Sequence, residues 1–110
     1  MIYFKPTRSY QRADVIIKRG FEYGHCGWVY PNGKIAYLSI FAMQDPEKTR
    51  RVSFHEVCHV YGIGHNNHPD SLMGESFNIN GQILEEDLHA LEQAVIEKEK
   101  NGNRRTINIR

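Results

Sequence analysis

The segment from His55 to His65, HEVCHVYGIGH, limits what this chain can fold into more tightly than any other stretch. On a helix, residues four apart project from one face, one turn above the other. His55 and His59 therefore offer two imidazoles to a single point. Gly62 follows one turn later, and a glycine just past the last turn is the usual C-terminal signal because it enters the left-handed conformation at little cost. A longer helix would carry position 65 away from the other two histidines. A stop at Gly62 lets the backbone swing His65 back beneath them, so the spacing predicts one metal ion held by His55, His59 and His65.

Three protein ligands with one open position is the arrangement of catalytic zinc, which makes a single Zn2+ the expected cofactor. Glu56 is adjacent to the first ligand and, on this geometry, points toward the open position without ligating. A general base is needed there, to take a proton from the attacking water and later return it to a leaving amine. A bare H-E-x-x-H occurs by chance on polar helix faces. The full H-E-x-x-H-x-x-G-x-x-H needs five identities to coincide, and the metal-binding reading rests on that coincidence. Cys58, inside the motif, reads as a small residue packed against a sheet rather than a ligand. His68 could replace His65, but Gly62 favours His65. His25 and His89 read as surface or internally satisfied residues.

Four short strands are predicted ahead of the motif: Ile2–Phe4, Ala13–Ile17, Cys26–Tyr30 and Lys34–Ile40. The last two are joined by Pro31-Asn32-Gly33, and Asn-Gly between apolar runs is a strong hairpin signal. Asp45-Pro46-Glu47 predicts the start of the motif helix, with an Asp N-cap, Pro at the first position and an acidic first turn. Thr49 is an alternative cap. Residues 63–81 read as loop. A second helix is expected from about Leu84 to Lys98, with Leu84, Leu88, Leu91 and Val95 at helical spacing. The closing NGNRRTINIR, 101–110, reads as a flexible tail. Residues 1–100 are then a single α+β domain, since 110 residues suffice for one modest core. Tyr23, Trp28 and Tyr37 could line a groove or pack in the core.

A formal net charge of +1, with scattered basic residues, gives no long-range pull toward nucleic acid or an anionic membrane. No apolar run reaches membrane-spanning length, and MIYFKPTRSY lacks the apolar block of a signal peptide, so a cytoplasmic location is the default expectation. Cys26 and Cys58 do not make a disulfide framework and are expected as free thiols.

The extended histidine motif resembles that of the metzincins, the zinc-protease superfamily defined by it and by a later methionine turn. Asn66-Asn67-His68-Pro69-Asp70-Ser71-Leu72-Met73 is similar to the matrixin-type continuation, in which a small residue, an aliphatic residue and Met follow a Pro-containing loop. The resemblance implies a minimal metzincin fold: a short twisted mixed sheet with an antiparallel edge strand, a zinc helix, a methionine turn and a C-terminal helix. It implies Met73 as a hydrophobic floor under the site. It also implies that Gly24, His25, Cys26, Gly27, Trp28 and Val29 form the edge strand that pairs with extended peptide substrate. ADVIIK at 13–18 is similar to the matrixin strand that follows the family's first long helix. Only twelve residues precede it here, too few for a strand and that helix, so the expectation is either a reduced version of the fold or a partner or second copy that covers the exposed sheet face. The segment that holds structural zinc and calcium in matrixins has no counterpart, so no second metal is expected. Gly74-Glu75 stands where some metzincin groups place Tyr two residues past Met.

The expected activity is therefore that of a zinc-dependent endopeptidase acting on peptide or protein substrate. Zinc-dependent endoribonucleases of the YbeY type share the histidine spacing and the glycine, but that family typically has glycine after the first histidine, where this chain has Glu56. A non-catalytic zinc-binding module is the third reading. A gluzincin arrangement, with Glu86 as third ligand, is weaker because His65 already completes the set.

Overall fold

The computed structural model describes residues 5–20, 27–29, 34–40, 45–75, 81–99 and 106–109. They form a small α+β fold of five strands and two helices: β1 Lys5–Pro6, β2 Val15–Gly20, β3 Gly27–Val29, β4 Ile35–Ser39, α1 Pro46–Val60, α2 Glu85–Glu99 and β5 Thr106–Ile109. The strands make one sheet in the order β1-β5-β2-β4-β3. β1, β5, β2 and β4 run parallel to their neighbours. β3, at the far edge, pairs antiparallel with β4, Gly27 opposite Leu38 and Val29 opposite Ala36.

Within the expected flexible tail of 101–110, β5 corrects the reading for Thr106–Ile109. Thr106–Ile109 lies inside the sheet, with Val15 opposite Ile107 on one side and Lys5 opposite Thr106 on the other. The physical reason lies in TINI itself: three of its four residues are β-branched and suit a pleated ladder. Four residues among polar neighbours are too few to show a period. The second strand also begins later and runs further than expected, over Val15–Gly20. The expected strand Ile2–Phe4 and the turn Pro31–Gly33 lie outside the described residues.

Side chains alternate across each strand, so Val15 and Ile17 share a face with Ala36, Leu38, Gly27 and Val29. That face carries the core. Val52, Val57, Cys58, Val60 and Tyr61 from α1, Met73 from the following loop, and Leu91 and Val95 from α2 pack onto it. α1 rests on β3 and β4 and only touches β2, and no described helix packs extensively on β5 or β1. Arg19, on the same face as Ile17, is exposed. No described helix is long and apolar enough to cross a membrane.

Asp45 caps α1 as its sequence position requires. Its backbone is extended and its carboxylate accepts from the Lys48 N–H at 2.8 Å. Thr49 sits inside the helix, its hydroxyl donating to the Asp45 carbonyl at 2.9 Å. At the other end Gly62 takes φ +83°, the left-handed region. The Ile63 N–H donates to the Cys58 carbonyl and the Gly62 N–H to the His59 carbonyl, each at 2.9 Å. This pair of bonds is the Schellman motif that closes a helix on glycine.

Candidate metal centre

The Schellman turn delivers the third histidine. The Nε2 atoms of His55 and His65 each lie 3.1 Å from Nε2 of His59. Among the described residues, His55, His59 and His65 are the group whose ligand atoms could hold a metal ion. His55 is buried, His59 half-buried and His65 exposed, so the cluster opens to solvent on the His65 side. His68 and His89 are exposed and outside the cluster. The His68 ring Nδ1 accepts from the Asp70 N–H. Glu86 is exposed on the first turn of α2 and does not join. His25, with Gly24 and Cys26 of the expected substrate strand, lies outside the described residues.

The tautomers follow from the other side of each ring. His55 Nδ1 is 2.8 Å from the Leu72 carbonyl, and His59 Nδ1 is 2.8 Å from the Ile63 carbonyl. A carbonyl only accepts, so each Nδ1 carries the proton and each Nε2 presents a bare lone pair. Two such lone pairs face each other at 3.1 Å with no hydrogen between them. A shared cation resolves that repulsion. A further proton is a poor substitute, because burial pushes the His55 imidazole down to about 4 and lowers His59 as well.

The cluster has its own electrostatic partner. Glu56 is 4% exposed, and its Oε1 lies 3.9 Å from His55 Nε2. Its Oε2 is buried with no hydrogen-bond partner among the described residues. Burial pushes this carboxyl up to about 7. Cys58 is fully buried in the core, and burial pushes its thiol up to about 12, which leaves it a packing residue and not a ligand. Met73 is 1% exposed and belongs to the core.

Compared with known proteins, the chain matches no family model, no curated protein and no solved structure. The site therefore stands on its own geometry.

Several residues that hold the site are invisible to motif reading. The Leu72 and Ile63 carbonyls act through the backbone, so no side-chain pattern marks them. Asp87, 6% exposed at the start of α2, accepts from Asn66 Nδ2 at 3.1 Å, from the Ser71 hydroxyl at 2.8 Å and from the Leu84 N–H at 3.1 Å. In sequence it is one acid of a Glu-Glu-Asp first turn, indistinguishable from charges that merely favour a helix N-terminus. A cleft of about 440 Å³ lies between α1 and the segment that leads into α2, lined by Arg50, Arg51, Phe54, Gln82, Ile83 and Leu88. Arg51 stands one turn before His55 and donates to the Gly81 carbonyl.

His59 is the hub of the cluster, and its removal is expected to have the simplest outcome. His59→Ala leaves two nitrogens and should reduce bound metal, measured by elemental analysis after gel filtration, from about one ion per chain to near none. Protons compete with the ion for the same lone pairs. Because burial lowers His55 to about 4 and lowers His59 from the ordinary 6.5, both remain neutral near pH 7 and take up protons only below the usual imidazole range. Affinity measured against a competing chelator is expected to weaken as they do. An affinity that stays constant from pH 7 to 4 would exclude imidazole ligation.

Proposed function

We propose that the chain is a zinc-dependent endopeptidase. The observation that carries this reading is the Glu56 carboxylate, buried beside the histidine cluster with one oxygen that has no hydrogen-bond partner among the described residues. The donor set fits zinc: imidazole nitrogens on a tetrahedral ion at the usual Zn–N length stand about 3.4 Å apart, close to the 3.1 Å that separates His59 Nε2 from those of His55 and His65. His55, His59 and His65 would hold the ion, and no fourth ligand joins them among the described residues. When bound, the ion supplies Lewis-acid polarisation of a carbonyl and acidifies water.

The protein's own groups carry the proton. Glu56 places a carboxylate beside the ligand His55, within reach of the open position, and a carboxylate so placed is the group that can accept a proton there. It takes that proton from the attacking water and passes it to the departing amine nitrogen. The buried position keeps bulk water from competing for it. β3 has β4 on one side and no described strand on the other, so its outer backbone groups suit an extended peptide. The choice of peptide as substrate comes from the resemblance of the histidine motif and the Ser71-Leu72-Met73 turn to metzincins. Glu56 also separates this reading from the endoribonuclease reading, in which no carboxylate is expected beside the first histidine.

The test is a zinc-replete assay on a diverse peptide library, with structured and single-stranded RNA assayed in parallel. Cleavage of peptides that stops on chelation and in Glu56→Ala is the expected result. Undiminished peptide cleavage in Glu56→Ala would overturn the mechanism. Cleavage of RNA with every peptide intact would replace the peptidase by the nuclease.

A further inference from the structure

Glu56 leaves α1 toward β3, and what it meets there is the bare backbone of Gly27. A methyl group built on Gly27 would lie 2.8 Å from Glu56 Cγ, 2.8 Å from the Tyr37 carbonyl oxygen and 3.1 Å from Val52 Cγ1. Carbon atoms in good contact sit about 3.5–4.0 Å apart, so no side chain fits without displacing Glu56, the strand, or both. Glycine inside a strand commonly marks such a close approach. Backbone conformation does not explain this glycine, because among the described residues the positive φ belongs to Gly62. Space is what position 27 supplies. Val52 and Glu56 are one helical turn apart, so the close contact runs along the face that α1 lays on β3 and β4.

The contact matters because, among the described residues, no hydrogen bond to Oε2 orients the carboxylate. Oε1 lies 3.9 Å from Nε2 of the His55 ring. A buried carboxylate with an unpartnered oxygen takes its rotamer largely from the walls around it. We propose that Gly27 is the positioning residue for Glu56: its bare α-carbon is the wall against which the Glu56 side chain is set, with its carboxylate turned toward the three histidines. The proposal rests on Glu56 being the general base. It also means that the strand read as the peptide-binding edge forms one mechanical unit with the base.

A double-mutant cycle tests this in two ways. In the metal-free protein, unfolding is measured for wild type, Gly27→Ala, Glu56→Ala and the double variant. The loss caused by Gly27→Ala is expected to shrink in the Glu56→Ala background, where Cγ is gone, and the remainder reports the Tyr37 carbonyl contact. Equal losses in both backgrounds overturn the proposal. With zinc and a cleaved peptide, Gly27→Ala is expected to lower kcat by roughly 10- to 100-fold, a displaced base costing less than the roughly 10²- to 10⁴-fold of a missing one. KM and bound metal should stay within about twofold. A raised KM with kcat unchanged would instead make Gly27 a substrate contact and overturn the assignment. If Gly27→Ala alone does not fold, recovery of folding in Gly27→Ala/Glu56→Ala supports the seat, and failure of both overturns it. If no peptide is cleaved by the wild type, the unfolding cycle still decides, so the two readings fail separately.

Discussion

Glu56→Gln is expected to make the metal-free protein more stable above pH 7 and, in the zinc-loaded protein, to abolish peptide cleavage. The stability half follows from linkage. The carboxyl is raised from an ordinary 4.5 to about 7 by burial. A folded pKa above the unfolded one means that the folded state prefers the neutral group. That contribution is fully present below pH 4.5 and is lost as pH rises through 7. The shift corresponds to about 3 kcal/mol by the usual conversion of one unit to 1.36 kcal/mol. Glutamine carries no charge to bury, so the variant should gain most of that difference at pH 8 and little at pH 4.5. The gain corresponds to roughly 10–20 °C in Tm for a domain of this size. Differential melting at both pH values, with chelator present, checks it. A variant no more stable than wild type at pH 8 would mean that the carboxylate is not held in a desolvated site. The catalytic half has the opposite sign. A glutamine cannot take the proton, and loss of a general base lowers kcat by roughly 10²- to 10⁴-fold, while the three histidines retain the ion. A residue whose replacement stabilises the fold and removes the activity is kept for its chemistry.

The parts of this molecule legible in the sequence are those governed by local geometry. The four-residue step from His55 to His59 and the glycine stop at Gly62 depend only on helix geometry, and the structure closes the turn through Cys58, His59, Gly62 and Ile63. Asp45 caps its helix for the same local reason. What escapes the sequence is set by distant pairing. Thr106–Ile109 joins β1 to β2, about ninety to a hundred positions away in the chain from the residues it meets. Gly27 looks like one more loop glycine until α1 brings Glu56 within touching distance. The Leu72 carbonyl that fixes the His55 tautomer lies seventeen residues on, and any amino acid there would carry one.

The second large effect belongs to Asp87, whose removal should unfold the site from behind. Its carboxylate gathers Asn66, Ser71 and the Leu84 N–H, closing the start of α2 in the way an acid at the third helical position reaches back to the cap. Each of the two side chains passes the constraint on. The Ser71 hydroxyl accepts from the Met73 N–H at 2.9 Å, and Leu72, between them, is the residue that holds His55. The Asn66 N–H donates to the Met73 carbonyl at 2.8 Å, and Asn66 is the immediate neighbour of His65. One buried carboxylate thus steadies the partner of the first ligand and the backbone of the third. Asp87→Ala removes three charge-assisted bonds and leaves their donors unsatisfied, a cost on the order of 4 kcal/mol. Against a total stability of about 5–15 kcal/mol, Tm should fall by about 15–30 °C. Loosening of the groups that orient ligands typically weakens metal affinity by roughly 10- to 100-fold, and zinc is expected to restore part of the lost stability by mass action. Asp87→Asn separates shape from donor pattern. Its amide keeps the volume and one acceptor, but whichever way it turns, an NH2 faces either the Asn66 amide or the Leu84 N–H. It should fall between alanine and wild type in melting temperature and in zinc affinity alike. An asparagine variant equal to wild type in both would show that the carboxylate is only filling space.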